Sequence, residues 1–223
     1  DNIAPNSLSG ETFTSEENIN FIISHQADKI KTDFEVYFTS YFGDEFLDDE
    51  QGDRFSESFY DQIFLKPEIK TVYKINNKKE FVFGLGNEYE TLNRTYFEIE
   101  PKQNSPFIYF QYDYNPNEKI NLILGGRFDK SKEYKSQVSP KFSGIYKIQN
   151  NESIKISTGY GYKTPDFRQL YFNFSNSTVG YTVIGYNVVE DVLNQLIDEG
   201  QIANIIVPIE EFENPLSPES SFG

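Results

Sequence analysis

From about Asn20 to Tyr162 the chain repeats one unit: a strand of roughly ten residues, a short polar turn, a second strand, then a longer polar excursion. Apolar and polar residues alternate within each strand. Phe81, Phe83 and Leu85 fall on one face against Gly84, Gly86 and Glu88; Ile120, Leu122, Leu124 and Phe128 fall against Asn121, Gly125 and Arg127. A period of two is the mark of a strand, whose successive side chains point to opposite faces. A strand of about 9–11 residues is also what a tilted crossing of a bilayer core requires. Short and long connections in alternation are the pattern of an outer-membrane β-barrel, with tight turns at one rim and large loops at the other.

Composition agrees. The 223 residues carry 35 acidic and 20 basic side chains, and a net charge of −15 speaks against a nucleic-acid partner. With no cysteine there are no disulfides, thiolate metal sites or cysteine nucleophiles. Aromatics reach 17%, as 21 Phe and 16 Tyr, which suits lipid-facing strands with aromatic girdles. Mean hydropathy is −0.58 and no run of 18 apolar residues exists, so no transmembrane helix is expected. A barrel wall needs no such run, because only every second residue meets lipid. The first residues, Asp1-Asn2-Ile3, carry no signal segment, and Ser221-Phe222-Gly223 has no element signature. Both ends read as cuts, so residues 1–223 are expected to be part of one larger barrel domain.

Residues 1–18 read as a loop, followed by strands near Ile19–His25 and Thr32–Phe42. A long acidic loop is expected from Gly43 to about Ser58, then strands near Phe59–Ile75, up to Arg94, and over Phe107–Tyr114, Ile120–Asp129, Lys141–Ile148 and Ile154–Tyr162. Turns are expected at Asn76-Asn77-Lys78, Asn115–Glu118 and Gln149–Ser153. Pro67 inside a strand removes one ladder hydrogen bond and suggests a bulge or rim position. The polar face, with Glu35, Lys66, Glu68, Lys70, Glu88, Gln111, Asp113, Asn121, Arg127, Lys141, Lys147 and Lys155, is too charged for a dry core and suits a wet lumen. Phe83, Phe110, Leu122, Leu124, Tyr146 and Ile156 are expected to face lipid. Residues 163–223 form the longest non-strand segment. Within it Val189, Val192, Leu193, Leu196 and Ile197 recur at helical spacing, with Asn187 to cap the start and Gly200 the end.

The stretch from Leu122 to Phe174 resembles the middle barrel of TonB-dependent outer-membrane receptors. The resemblance lies in Gly125-Gly126-Arg127-Phe128-Asp129, then Ser139-Pro140-Lys141, then Tyr162-Lys163-Thr164-Pro165 with Gln169-Leu170-Tyr171, and finally Asn214-Pro215-Leu216-Ser217-Pro218-Glu219-Ser220. Lys163 stands where the family has Arg, Gln169 where it has Glu, and an insertion over roughly Asn187–Phe212 separates the last two motifs. The resemblance implies about eight to ten strands of a 22-stranded barrel, whose lumen is plugged in this class. It also implies a Gram-negative outer membrane with its lipid, a plug domain and closing strands outside this chain, and TonB contacted through the missing N-terminal part. The cargo it implies is a scarce bulky nutrient, typically a ferric siderophore, haem or cobalamin, and no resident cofactor. A passive porin and a surface-binding adhesin are the alternatives.

Within the last extracellular loop, Arg168, Tyr171, Tyr181 and Tyr186 combine ring area with a polar end and are the candidate ligand-binding residues. The acidic run Asp44, Glu45, Asp48, Asp49, Glu50, Asp53 has hard oxygen ligands suited to Ca²⁺, but its spacing fits no EF-hand, and a solvated loop is the plainer reading. His25, the only histidine, is placed on the polar side of a strand end and read as structural. Asn93-Arg94-Thr95, Asn173-Phe174-Ser175 and Asn176-Ser177-Thr178 match the N-glycosylation pattern by chance in an Asn-rich chain. Ser143 and Ser157 lack a histidine partner and no GxSxG or phosphate loop occurs, so no enzyme is expected.

Overall fold

Eight long strands follow one another as antiparallel neighbours in the computed structural model, which describes residues 8–132, 134–149, 151–176, 179–202, 204–214 and 216–223. They are β1 (Ser9–Ala27), β2 (Ile30–Asp48), β3 (Arg54–Asn76), β4 (Lys79–Arg94), β5 (Lys102–Asn117), β6 (Ile120–Asp129), β7 (Gln137–Gln149) and β8 (Glu152–Lys163). After β8 come α1 (Phe167–Tyr171), a hairpin of β9 (Asn173–Asn176) and β10 (Tyr181–Ile184), a 3₁₀ turn at Tyr186–Val188, α2 (Val189–Asp198) and a second 3₁₀ turn at Ile209–Phe212. The chain then returns as β11 (Glu219–Phe222) to pair with β8, completing a nine-stranded sheet in the order β1 to β8, then β11.

The short connections are built by side chains that replace backbone partners. Asn76 and Asn117 each accept, through the side-chain oxygen, the amide two residues on, from Lys78 and Lys119, at 2.9 Å in both cases. At the opposite rim Asp49 accepts from Gln51 and Asp53, and Gly52 takes the left-handed conformation the turn needs, with φ +84°. Helix α1 opens on a capping box: Asp166 accepts from the Gln169 amide, and the Gln169 side chain accepts from the Asp166 amide. Helix α2 closes on Gly200, φ +71°, whose amide bonds Ile197 while that of Gln201 bonds Leu196, so two end carbonyls are satisfied.

The registers sort the two faces. Ile23, Phe34, Ile69, Leu85, Ile108, Phe128 and Val138 lie in one row across β1 to β7, with Phe83, Phe110, Leu124 and Phe142 in the rows beneath. These side chains are exposed on the outer face, Leu124 at 52%, as an apolar band of the kind that meets lipid in an outer-membrane barrel. Ile156 and Tyr146 are equally exposed; Leu122, in the same band opposite Gly144, is partly covered. The opposite face carries Glu68, Lys66, Gln111, Asp113, Asn121 and Arg127 among paired polar groups.

Several expectations are corrected. Residues 9–18 are strand, not loop, and residues 43–58 are mostly strand, with β2 and β3 paired from Gly43–Tyr60 to Asp48–Arg54 above the apolar band. There Asp44 and Glu57 interrupt the outer face and Leu47 falls on the inner one, so clean alternation disappears although the ladder continues. Pro67 makes no bulge: it stands opposite Val36 in a stretch of the β2–β3 register that runs without a shift, facing a gap in the β3–β4 ladder. His25 pairs with Thr32 in the parity of Ile23 and Phe21, which is the apolar face. Ser221 and Phe222 belong to β11. Val188, not Asn187, caps α2, because Asn187 is drawn into the preceding 3₁₀ turn. Asn150, Ser177, Thr178 and Pro215, named in the turn and motif expectations, lie outside the described residues. Among the described residues no acid cluster is arranged to hold a metal ion.

Candidate functional site

The inner face gathers its chemistry around Arg127. Its position on β6 is opposite Tyr109 on β5 and Ser139 on β7, and the guanidinium reaches Asp129 at 2.7 Å and Glu88 of β4 at 3.2 Å. It lies 3.9 Å from the ring centroid of Phe107, itself buried to 4% exposure. A planar cation that stacks on a ring and is forked between two carboxylates is held in one orientation. The glycines of β4 make this possible. A Cβ on Gly86 would meet the Phe107 ring at 2.5 Å, so only a bare backbone lets the ring lie flat beneath the arginine.

Above this cluster opens a hollow of about 500 Å³, lined by Glu88, Glu90, Gln103, Ser105, Asp129, Tyr134, Ser139, Tyr162 and the 163–167 segment. Gln103 donates to the Tyr134 hydroxyl at 2.6 Å and to Ser105 at 3.1 Å. A second hollow of about 350 Å³ adjoins it, between Tyr60, Gln62, Glu90, Leu92, Arg94 and the start of α1. A third, about 340 Å³, lies between β1, β2 and β3, with Tyr41, Tyr60 and Arg94 in its wall. Glu90 stands between the first two. Its height is above the apolar band, and burial pushes its carboxyl above the usual range, reinforced by the carboxylates of Glu88 and Asp166, while a hydrogen bond from Gln62 opposes them. Arg94 lies near the rings of Tyr60, Phe97 and Phe172, at 5.6, 5.9 and 5.2 Å from their centroids.

The four candidate ligand residues are not brought together. Arg168 lines the second hollow, is 66% exposed at its side chain, and pairs with Asp166 at 3.8 Å. Tyr171 packs against Phe97 and Phe167. Tyr181 sits on the β9–β10 hairpin beside Phe174. Tyr186 donates its hydroxyl toward the carbonyls of Glu211 (3.1 Å) and Asn214 (2.7 Å), with its ring against Phe212, and so latches the segment beyond α2.

The motif residues have mainly architectural surroundings. Gly126 lies under Phe110 and opposite Pro140; Lys141 stands opposite Gly125 and Gly159; Pro165 and Leu170 are buried; Pro218 leads into β11, where Glu219 stands opposite Lys163. Arg127 and Asp129, with Pro165 at its edge, combine motif and hollow. Sequence reasoning missed Tyr60, Gln62 and Glu90 as lining groups. Their signal was present in the period-two parity, which puts all three on the inner face.

An antiparallel wall with an apolar outer band and a charged inner face is that of an outer-membrane type β-barrel. The family model for TonB dependent receptor-like β-barrels matches residues 5–221, and the chain belongs to that family. Among solved structures it is similar to the siderophore receptor PirA from Pseudomonas aeruginosa, with a TM-score of 0.46 and 15% identity, over 74% of this chain. The chain spans 40% of the length of that receptor. Comparison with curated protein sequences gives no match.

Proposed function

We propose that this chain is part of the wall of an outer-membrane receptor of a Gram-negative bacterium, which takes up a scarce, bulky nutrient with energy relayed by TonB. The observation that carries the reading is the family match across nearly the whole chain, on a wall whose inner face is polar and hollowed. In this reading the outer band meets lipid, the inner face surrounds the receptor's own plug domain, and the role is non-enzymatic. Family resemblance nominates a small-molecule metal chelate or cofactor as cargo: a ferric siderophore, haem or cobalamin. Arg168, Tyr171 and Tyr181 are offered as loop contacts for it.

Growth of a deletion strain on one nutrient source at a time tests the proposal. Loss of growth on one source, reproduced by removing TonB, is the expected result. Unimpaired uptake of every iron and cobalamin source would overturn the chelate class. Uptake that persists without TonB would overturn the energised receptor.

A further inference from the structure

Above the lipid band the outer face of β1, β2 and β3 carries a regular block of side chains. Its three cross-strand rows are Ser15, Phe42 and Asp61; then Phe13, Asp44 and Phe59; then Glu11, Phe46 and Glu57. Asp44 stands at the centre with a phenylalanine on each of its four sides, and three of the four corners are acidic. Phe13 and Phe46 meet edge to face, with centroids 6.2 Å apart. The block lies well above the hydrocarbon. Asp44 is six residues beyond Phe38, the end of the unbroken apolar run of β2, and so roughly 15 Å higher at the usual strand rise and barrel tilt. Contact with lipid tails therefore does not account for these rings. Phe13, Phe42 and Phe59 are nonetheless exposed, Phe13 at 58%. Among the described residues, none of Glu11, Asp44, Glu57 and Asp61 makes a side-chain hydrogen bond or ion pair.

One cation shows what this surface accepts. Arg54, near the tip of the same hairpin, lies 4.1 Å from the centroid of the Phe46 ring and pairs with Asp48 at 3.0 Å. Its guanidinium meets a ring and a carboxylate together. The block offers that combination several times more, and a planar guanidinium suits it better than an ammonium group. Other occupants fit poorly. The phosphates of a lipid surface would face four unpaired carboxylates, and so would the same face of a second copy of this chain. A wholly apolar partner would bury those carboxylates with nothing to pair them.

We propose that this block is a docking surface for a basic partner protein, whose closely spaced arginines stack on the phenylalanines and pair with the carboxylates between them. The surface is on the opposite face of the sheet from the three hollows, and takes from the receptor reading only the position of the lipid band.

The test uses the full receptor in detergent and three fluorescent decapeptides, alternating arginine–glycine, lysine–glycine and citrulline–glycine, read by anisotropy. The arginine peptide is expected to bind about fivefold more tightly than the lysine peptide, and the uncharged citrulline peptide not to bind. Asp44→Asn with Glu57→Gln should weaken the arginine peptide about tenfold. Glu190→Gln with Asp191→Asn makes the same change of charge on α2 and should leave the affinity within about twofold. Phe13→Leu with Phe59→Leu keeps apolar area but removes the rings, and should erase the preference for arginine over lysine. Folding of every variant is checked by heat-modifiable migration in gels. No binding to the intact receptor, equal affinity for arginine and lysine, or equal losses in the two charge variants would overturn the proposal. Calcium-dependent binding of lipopolysaccharide vesicles, or a dimer seen by light scattering, would also overturn it if abolished by Asp44→Asn with Glu57→Gln, because the occupant would then be lipid or a second copy. Peptide binding is read without uptake, so it can fail while TonB-dependent uptake stands, and stand while that uptake fails.

Discussion

Gly84 and Tyr109 stand directly opposite one another in the β4–β5 ladder, and the Tyr109 ring lies over the glycine to reach Glu68 on β3. The hydroxyl donates to the Glu68 carboxylate at 2.5 Å, across the intervening strand. Three strands are thereby tied by one side chain, and the missing Cβ is what lets it cross. The same arrangement repeats one pleat away, where Gly86 underlies Phe107.

Gly84→Val should therefore destabilise the wall by about 1–3 kcal/mol, because the ring must be displaced and its hydrogen bond broken. Denaturant unfolding of the receptor in detergent measures this. Gly144→Val is the control: a Cβ there would stand 3.5 Å from Leu122, ordinary contact, and should cost less.

The two faces should respond oppositely to charge. Leu124→Arg places a cation in the outer band and should cost about 2–4 kcal/mol near the midplane. Asn121→Arg, on the inner face beside the Asp113 carboxylate, should cost much less. Equal losses of folding yield in the two variants would show the face assignment to be wrong.

Glu90 supplies a pH dependence. Its folded pKa lies above the ordinary carboxyl value of 4.5, so the folded form holds the proton more tightly than the unfolded chain. The stability it contributes is fully present below that ordinary value and is lost as pH rises through the raised one. Glu90→Gln should thus flatten the stability profile just above pH 4.5 and raise stability at neutral pH, as read from unfolding midpoints across a pH series.

Orientation is accessible by thiol labelling, since the chain has no cysteine of its own. A cysteine at Glu50, in the tip between β2 and β3, should label on intact cells, and one at Glu118, in the turn between β5 and β6, should not. The reverse pattern would invert the topology.

Legibility in the sequence followed the lipid. Strand β6 was readable to the residue, Ile120–Asp129, because lipid on one side and polar lumen on the other impose a clean alternation. Where β2 and β3 rise past the band, Gly43-Asp44-Glu45 and Glu57-Ser58 are polar on both sides, and nothing in the pattern announces a ladder. The site divided in the same way. Arg127 and Asp129 were visible in a family motif, and their pairing is local, two residues apart. Tyr60, Glu90 and Phe167 come together only because β3 and β4 stay paired as far as Tyr60 and Arg94 and the start of α1 lies beside them. That meeting joins residues more than a hundred positions apart, beyond the reach of any periodicity.

The whole excursion after β8 leaves and re-enters the wall on a single rung, since Lys163 stands directly opposite Glu219. Everything between them, both short helices and the β9–β10 hairpin, therefore hangs from two adjacent anchor points whose separation is fixed by sheet geometry. Such a segment can lengthen, shorten or be exchanged for another without altering the tilt or register of any spanning strand. The insertion between Asn187 and Phe212 falls inside it. A lineage could thus change this segment while leaving the spanning strands alone, and an engineer could transplant a foreign cassette at the same two residues.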